Sequence, residues 1–391
     1  MNILMLAPEP FFQPRGTPIS VYFRLKALSD LGHHVTLVTY PLGEDRSFPG
    51  LRLVRIAKFP GLRTIKIGPS LVKLPLDFLL FFKALGELVR RRYDVIFSHE
   101  EAGLLGVVLG KLRGVPHLYD MHSSLPQQLD NFNFSRSTVL KGLFLMMEHF
   151  VLRGSRSIIV ICRDLERLVA AKGFGAKSVF LENFLEFDPS RRTARTVAGK
   201  RKKLAPRGEK IVLYAGNFQP YQGIPLLLEA MTRVKGKAVL ALVGATGSDK
   251  VELGRICNGL GLSGRVVFID RVPPADVPLY IEAADVLVSP RPAGTNTPLK
   301  IYSFLKSGKP LVATRRWTHT QVVDDSIAIL VEPTAEGLAR GLSYALFDKG
   351  ARKIARTAKA KADREYTPAA YLAKISQALA KATHRQTAPS P

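Results

Sequence analysis

The sequence predicts an α/β protein made of two Rossmann-like halves, each a parallel sheet with helices on both faces. Three observations predict it. Short apolar runs with strand character alternate with helix-periodic stripes along the chain. One charged, apolar-poor segment, residues 189–210, interrupts this alternation and separates two rhythms. Hydrophobic residues make up 46% of the 391, which excludes a mostly disordered chain and suffices for more than one core. In such sheets ligands bind beyond the carboxyl ends of the strands, and with two halves the expected site is the cleft between them.

The first half opens on the apolar run Asn2–Ala7, which lacks the basic leader and the length of a signal peptide and reads as a strand. Pro8–Pro18 is a Pro- and Gly-rich loop. Thr17-Pro18 then marks a helix start, with a capping hydroxyl and Pro at the first helical position; Val21, Leu25 and Leu28 form its apolar stripe and Gly32 ends it. Val35–Thr39 and Leu51–Ala57 read as strands. After a Leu- and Phe-rich stretch, Leu71–Arg92, come strand Asp94–Ser98, helix Ala102–Lys111, strand His117–Asp120, helix Thr138–Leu152 and strand Ser157–Ile161. The second half runs strand Ile211–Ala215, helix Pro225–Thr232, strand Ala238–Val243, helix Lys250–Leu260, strand Val266–Ile269, helix Ala275–Ala284 and strand Val286–Ser289. Helix Pro298–Ser307, strands Pro310–Ala313 and Ile327–Val331, and a run of helices complete it.

The formal net charge is +25, and two short segments carry most of it. Residues 189–210 hold nine basic and one acidic side chain; residues 349–391 hold ten and two. Such a field attracts nucleic acid, anionic lipid or phosphorylated ligands. The basic segments lack interleaved aromatics and a recognition motif, so no nucleic-acid partner is expected. No apolar run nears the roughly 18 residues of a spanning helix. Two cysteines, Cys162 and Cys257, make neither a disulfide framework nor a metal cluster and fit a reducing cytosol. Leu71–Arg92 reads two ways. Its charges Lys73, Asp77, Lys83, Glu87 and Arg90 fall on one helical stripe and Arg90-Arg91-Arg92 closes it, so it suits an anionic membrane surface. It equally suits a helix packed on the sheet, with arginines complementing its dipole.

Four loops follow strands and meet the expected cleft. In the first, Gln13 to Pro18, Gly16 lets a ligand approach the backbone beside Arg15, and the next helix offers free N–H groups to an anion. It is not a GxGxxG fingerprint, which weighs against a dinucleotide dehydrogenase. The second, Tyr119 to Pro126, sets His122 at a strand exit, as a hydroxyl ligand, a proton carrier or a purely structural group, with Asp120 and Ser123 beside it. The third, Ala215 to Gly223, is bounded by glycines. In the fourth, Pro290 to Lys300, Thr297 and Pro298 mark a helix N-terminus with Lys300 in its first turn. A cation there opposes the helix dipole, and a bound phosphate removes the conflict.

These loops carry a resemblance. The chain resembles the family 4 retaining glycosyltransferases of the GT-B fold over nearly its whole length. The matching stretches are the Gly16 loop with Gly32-His33-His34-Val35, Met121 to Ser124, Arg271-Val272, Ala284 to Pro290, and Ser307 to Ala313. The resemblance implies two Rossmann-like domains, 1–188 and 211–364, a basic linker over 189–210, and a final helix over 365–391 that crosses back to the first. It implies transfer of a sugar, with retention, from a nucleotide diphosphate donor to a glycan or glycolipid hydroxyl; no clustered Asp pair suggests a divalent-ion site, so neither a metal nor another cofactor is expected. His122 and Lys300 become the catalytic candidates. Gly16, Gly216, Asn217, Gln222, Val272, Arg291, Thr295, Asn296, Thr297, Pro298, Leu299 and Ser303 become donor-side residues, and Arg15, Asp120 and Ser123 acceptor-side ones. The protein is expected in the cytoplasm, peripheral at the inner face of the membrane.

The departures are specific. Where family members place Arg and Lys after the first strand of the second half, this chain has Asn217 and Gln222; where they place two glutamates eight apart, it has Thr295 and Ser303. Lys300, Arg291 and Arg15 are the substitute cations available. Two other readings stay open: a non-catalytic nucleotide-sugar or membrane binder, favoured by these neutral replacements, and a nucleotide-sugar 2-epimerase, disfavoured by the missing glutamates.

Overall fold

The predicted alternation resolves into two all-parallel sheets. A computed structural model describes residues 1–13, 16–65, 70, 72–126, 138–182 and 193–383; Arg15 and residues 189–192 lie outside the described residues. By its contacts the chain divides into two units, Met1–Asn183 with Pro368–Pro391, and Phe184–Thr367.

In the first unit β1 (Asn2–Ala7), β2 (His34–Thr39), β3 (Leu51–Arg55), β4 (Val95–His99), β5 (His117–Met121), β6 (Ser157–Val160) and β7 (Ser178–Phe180) lie in the order β3-β2-β1-β4-β5-β6-β7. Ile3 of β1 pairs with Val35 on one side and Val95 on the other. Helices α1 (Thr17–Asp30), α2 (Lys73–Arg90), α3 (Ala102–Arg113), α4 (Thr138–Gly154) and α5 (Arg163–Ala171) connect them. The central strands are buried on both faces, which is why they read as unbroken apolar runs.

The second unit begins with α6 (Ala194–Leu204) and carries β8 (Lys210–Ala215), α7 (Ile224–Arg233), β9 (Ala238–Ala245), α8 (Gly247–Gly259), β10 (Val266–Asp270), α9 (Val277–Ala283) and β11 (Val286–Ser289). After these come α10 (Lys300–Lys306), β12 (Leu311–Thr314), α11 (Trp317–Thr320), β13 (Ile329–Val331), α12 (Ala335–Phe347) and α13 (Gly350–Glu365). Its sheet order is β10-β9-β8-β11-β12-β13. The last helix, α14 (Pro368–Thr383), belongs to the first unit and buries Tyr371, Ile375 and Leu379.

In each sheet the strand order reverses once, between β1 and β4 and between β8 and β11. Loops leaving the carboxyl ends at such a reversal diverge and open a crevice. The loops after β8 and β11 are two of the four that the sequence singles out.

Three expectations need correction. Thr17 does not cap α1: the helix includes it, Gly16 is the cap residue at φ +50°, and no side chain caps the end. The second is the helix expected at Pro298, which begins at Lys300. Thr297 therefore lies in the preceding loop, and Lys300 sits on a helix of only seven residues whose dipole is correspondingly small. The expected linker contains α6, whose end is closed by a reciprocal Thr193–Thr196 capping pair. Arg201 of α6 donates to Asp285 at 2.9 Å and to the Ala283 carbonyl at 2.8 Å, so part of the linker's charge is bound to the second unit.

Candidate functional site

At the reversal in the second unit, the two loops are knitted into one surface. Gly223 has φ +74°, and a Cβ there would lie 2.4 Å from the Pro290 carbonyl oxygen, so only glycine lets the loops meet. Gln222 is buried; its Nε2 donates to Asn217 Oδ1 at 3.1 Å and its Oε1 accepts from Arg291 Nε at 3.1 Å. Arg291 Nη1 donates to the Asn296 carbonyl at 3.2 Å, and its guanidinium lies over Tyr221. Thr318 Oγ1 donates to the same Asn296 carbonyl at 2.6 Å, and Gln321 to that of Thr295 at 2.5 Å. Arg291 is thus a brace between loops, and Asn217 and Gln222 form an amide pair within one.

Beneath this surface stands Lys300. Its Nζ is buried, lies 3.7 Å from the centroid of the Tyr214 ring, and has no hydrogen-bond partner. Burial, with Arg291 adding repulsion, holds its pKa well below the usual lysine range. A Cβ on Gly216 would come within 3.0 Å of that Nζ, so glycine keeps the approach to the amine clear. Thr297 Oγ1, three residues away, is likewise buried without a hydrogen-bond partner. Two buried donors without hydrogen-bond partners, three residues apart after β11, are costly to bury, and an anion would satisfy them. Pro298 is buried beside them, whereas Val272, Leu299 and Ser303 stand outside this hydrogen-bond network.

Gly223→Ala is expected to destabilise the second unit by about 1–3 kcal/mol, because a non-glycine residue takes on strain at this φ and meets the Pro290 backbone. Thermal unfolding measures it, and an unchanged midpoint would show that the loops part freely.

The first unit holds a buried charge cluster around Asp120, the penultimate residue of β5. Asp120 Oδ2 lies 2.8 Å from Arg24 Nε, 3.3 Å from His99 Nδ1 and 3.3 Å from His122 Nε2. Burial alone would raise the carboxyl's pKa, but Arg24 and the imidazoles hold it well below the usual range. Arg24 Nη1 donates to Tyr371 Oη, and its guanidinium packs on that ring. Glu100, at φ +49°, accepts from Ser123 at 2.9 Å, and burial raises its pKa to about 7. Asp120 is wholly buried, with Arg24 as its hydrogen-bonded partner and His122 Nε2 3.3 Å from its carboxylate. Gly16 is exposed at the start of α1.

The sequence reading missed Arg24, His99, Glu100 and Tyr371. Arg24 left a signal: a charge between Val21 and Leu25 on the buried face of α1. His99 and Tyr371 reach the cluster only through strand pairing and through α14. His99, Asp120 and His122 also offer three ligand atoms within 4.8 Å of one another, as a metal would need. Arg24 already bonds the carboxylate oxygen they share, so an incoming divalent ion would meet a fixed positive charge.

Comparison with known proteins now bears on both units. A glycosyl transferase 4-like domain model matches residues 22–183, and a model of glycosyl transferases group 1 matches residues 198–362. The chain is 24% identical to an uncharacterized glycosyltransferase of Methanocaldococcus jannaschii over 370 residues, 90% of this chain and 91% of that protein. It is 22% identical to the sulfoquinovosyl transferase of Arabidopsis thaliana over 317 residues, 80% of this chain, and spans only 59% of that protein's length. Among solved structures, HepE of Anabaena in complex with UDP matches with a TM-score of 0.77 at 19% identity, covering 97% of this chain and 100% of that one. Sucrose-phosphate synthase from Thermosynechococcus elongatus also matches with a TM-score of 0.77, at 21% identity over 96% and 97% of the two chains. With a glycosyltransferase model on each unit and one fold shared across nearly its length, the chain belongs to the GT-B glycosyltransferases, with a 4-like N-terminal domain and a group 1 C-terminal domain.

Proposed function

We propose that this protein transfers a sugar from a nucleotide diphosphate donor to a hydroxyl of a glycan or lipid-linked acceptor, with retention of configuration and without a metal ion. The observation that carries the proposal is the pair of buried, unsatisfied groups, Lys300 Nζ and Thr297 Oγ1, at the strand-order reversal of the second unit. The solved complexes of HepE with UDP and with UDP-glucose support a nucleotide sugar as the donor class. As the bond from the sugar to the diphosphate breaks, negative charge gathers on the leaving oxygen. An ammonium group in a site of low dielectric stabilises that charge more than water does. Lys300 takes up a proton to do so, and Thr297 adds a hydroxyl donor. Arg291 keeps the loops in place, replacing by geometry part of what the absent family cations supply by charge. In the first unit Asp120 fixes the His122 ring for the sugar, with Ser123 on the acceptor side.

The test is product analysis with UDP- and GDP-sugars, with and without glycan or lipid acceptors. A new glycosidic bond of unchanged anomeric configuration is expected; a 2-epimer formed without acceptor would overturn the reading. Turnover is expected to survive EDTA, and its complete loss would remove the metal-independent mechanism. A second reading, a donor-binding protein without turnover, is favoured by the amide pair Asn217–Gln222 standing where relatives carry cations. It predicts thermal stabilisation by donor and no product. We place the protein in the cytoplasm at the inner face of a membrane, where a lipid-linked acceptor would lie. No described helix is long and apolar enough to cross one.

A further inference from the structure

Helix α2 inverts the usual arrangement of a surface helix. Leu76, Leu80, Ala84 and Leu88 face the core of the first unit, as expected. The opposite face is apolar as well: Leu74 is 63% exposed, Phe78 63%, Phe82 51% and Val89 64%. Phe78 and Phe82 stack edge to face at 4.7 Å, one turn apart, so the stripe is continuous. Isolated exposed apolar residues are ordinary; a row of four with two aromatic rings along one helix is not.

The charges that the sequence places on one stripe of α2 differ in exposure, and Lys73 is paired with Glu101 at 2.6 Å. Asp77 accepts from Tyr40 Oη at 2.6 Å, and Glu87 is buried and ion-paired with Arg52. Both acids of the helix are therefore engaged by the first unit's own side chains. The exposed charges are Lys83, Arg90, Arg91 and Arg92, all positive, with Arg91 Nε also 4.0 Å from Glu87. Arg91 and Arg92 also wall a crevice of about 430 Å³ at the end of the helix, together with His34 and Arg52. An apolar row ending in a cluster of cations, with its acids turned inward, complements an anionic bilayer: rings enter the acyl boundary and guanidinium groups meet headgroup phosphates.

We propose that the outer face of α2 docks the first unit on an anionic lipid surface, through Leu74, Phe78, Phe82 and Val89 in the interface and Lys83 and Arg90 to Arg92 on the headgroups. The inference rests on the proposed function only for why a membrane matters, namely a lipid-linked acceptor. Its test needs neither donor nor acceptor.

The experiment is sedimentation of the full chain with vesicles of phosphatidylcholine alone and with phosphatidylglycerol added. Binding is expected only to the anionic vesicles, falling as salt is raised. Phe78→Ser with Phe82→Ser, and separately Arg91→Glu with Arg92→Glu, are each expected to weaken it at least about tenfold. Both pairs are exposed, so their far-UV circular dichroism should match that of the parent. Equal binding to neutral and anionic vesicles, unchanged binding by the Phe78/Phe82 pair, or a dimer in light scattering that this pair dissolves would overturn the proposal. Vesicle binding without sugar transfer overturns the enzymatic reading alone; transfer to a soluble acceptor without vesicle binding overturns this one alone.

Discussion

Lys300→Met is expected to weaken donor binding or turnover by roughly 10- to 150-fold, the equivalent of about 1.5–3 kcal/mol for a hydrogen bond to a charged group. The same variant should be no less stable than the parent, because methionine fills the space over Tyr214 without leaving an amine buried and unpaired. Titration calorimetry with UDP and a thermal melt measure the two effects. Loss of stability with unchanged affinity would make Lys300 a structural residue. The pH dependence gives an independent check. Burial lowers the Lys300 pKa in the folded protein, so the unfolded chain, whose lysine titrates near about 10.4, binds the extra proton. Stability contributed here therefore rises with pH between the folded value and the unfolded one, and Lys300→Met should lose that slope. Donor binding should take up a proton in the parent and none in the variant.

Arg24→Leu is expected to cost the first unit about 3–5 kcal/mol, since it leaves Asp120 buried, charged and without its guanidinium. That is a large share of the stability of an ordinary domain. Urea unfolding measures it. The pair Arg24→Met with Asp120→Leu removes both charges and should recover much of the stability, yet turnover should stay low because His122 has lost the carboxylate that orients it. Recovery of both would show that the cluster serves only the fold. The Asp120 pKa is depressed, so the stability of the parent pair is fully present above the ordinary carboxylate range and is lost progressively as pH falls from the unfolded carboxyl's value through the lower folded one.

The fold was legible because both sheets are built from strands buried on two faces. Val286–Ser289 is an apolar run that can be little else, and its bounds coincide with β11. Lys300 was legible too, although for a reason that needs replacing: its anomaly is an unsolvated amine rather than an unfavourable dipole. What escaped the sequence has two physical sources. Helix α6 lacks apolar periodicity, and its start is closed by Thr196 where the usual signature has Glu or Gln. The Asp120 cluster joins Arg24 to a residue 96 positions away and to Tyr371 347 positions away, distances at which no local pattern carries information. The exposed face of α2 lay between these cases. Its apolar excess was visible, but only side-chain pairing shows that the acids and Lys73 turn inward while Lys83 and Arg90 stay exposed.

The bond between Arg24 and Tyr371 has a consequence for how the chain is made. Arg24 and Asp120 leave the ribosome early, but the ring that covers them lies on α14, beyond the whole of the second unit. At about 5–20 residues per second, residues 184–367 occupy roughly 10–40 s of synthesis. For that interval the first unit exists with its charge cluster uncovered and the groove for α14 empty, while the second unit can fold as each part of it emerges. The first unit therefore cannot complete its buried cluster until translation has passed the whole of the second unit.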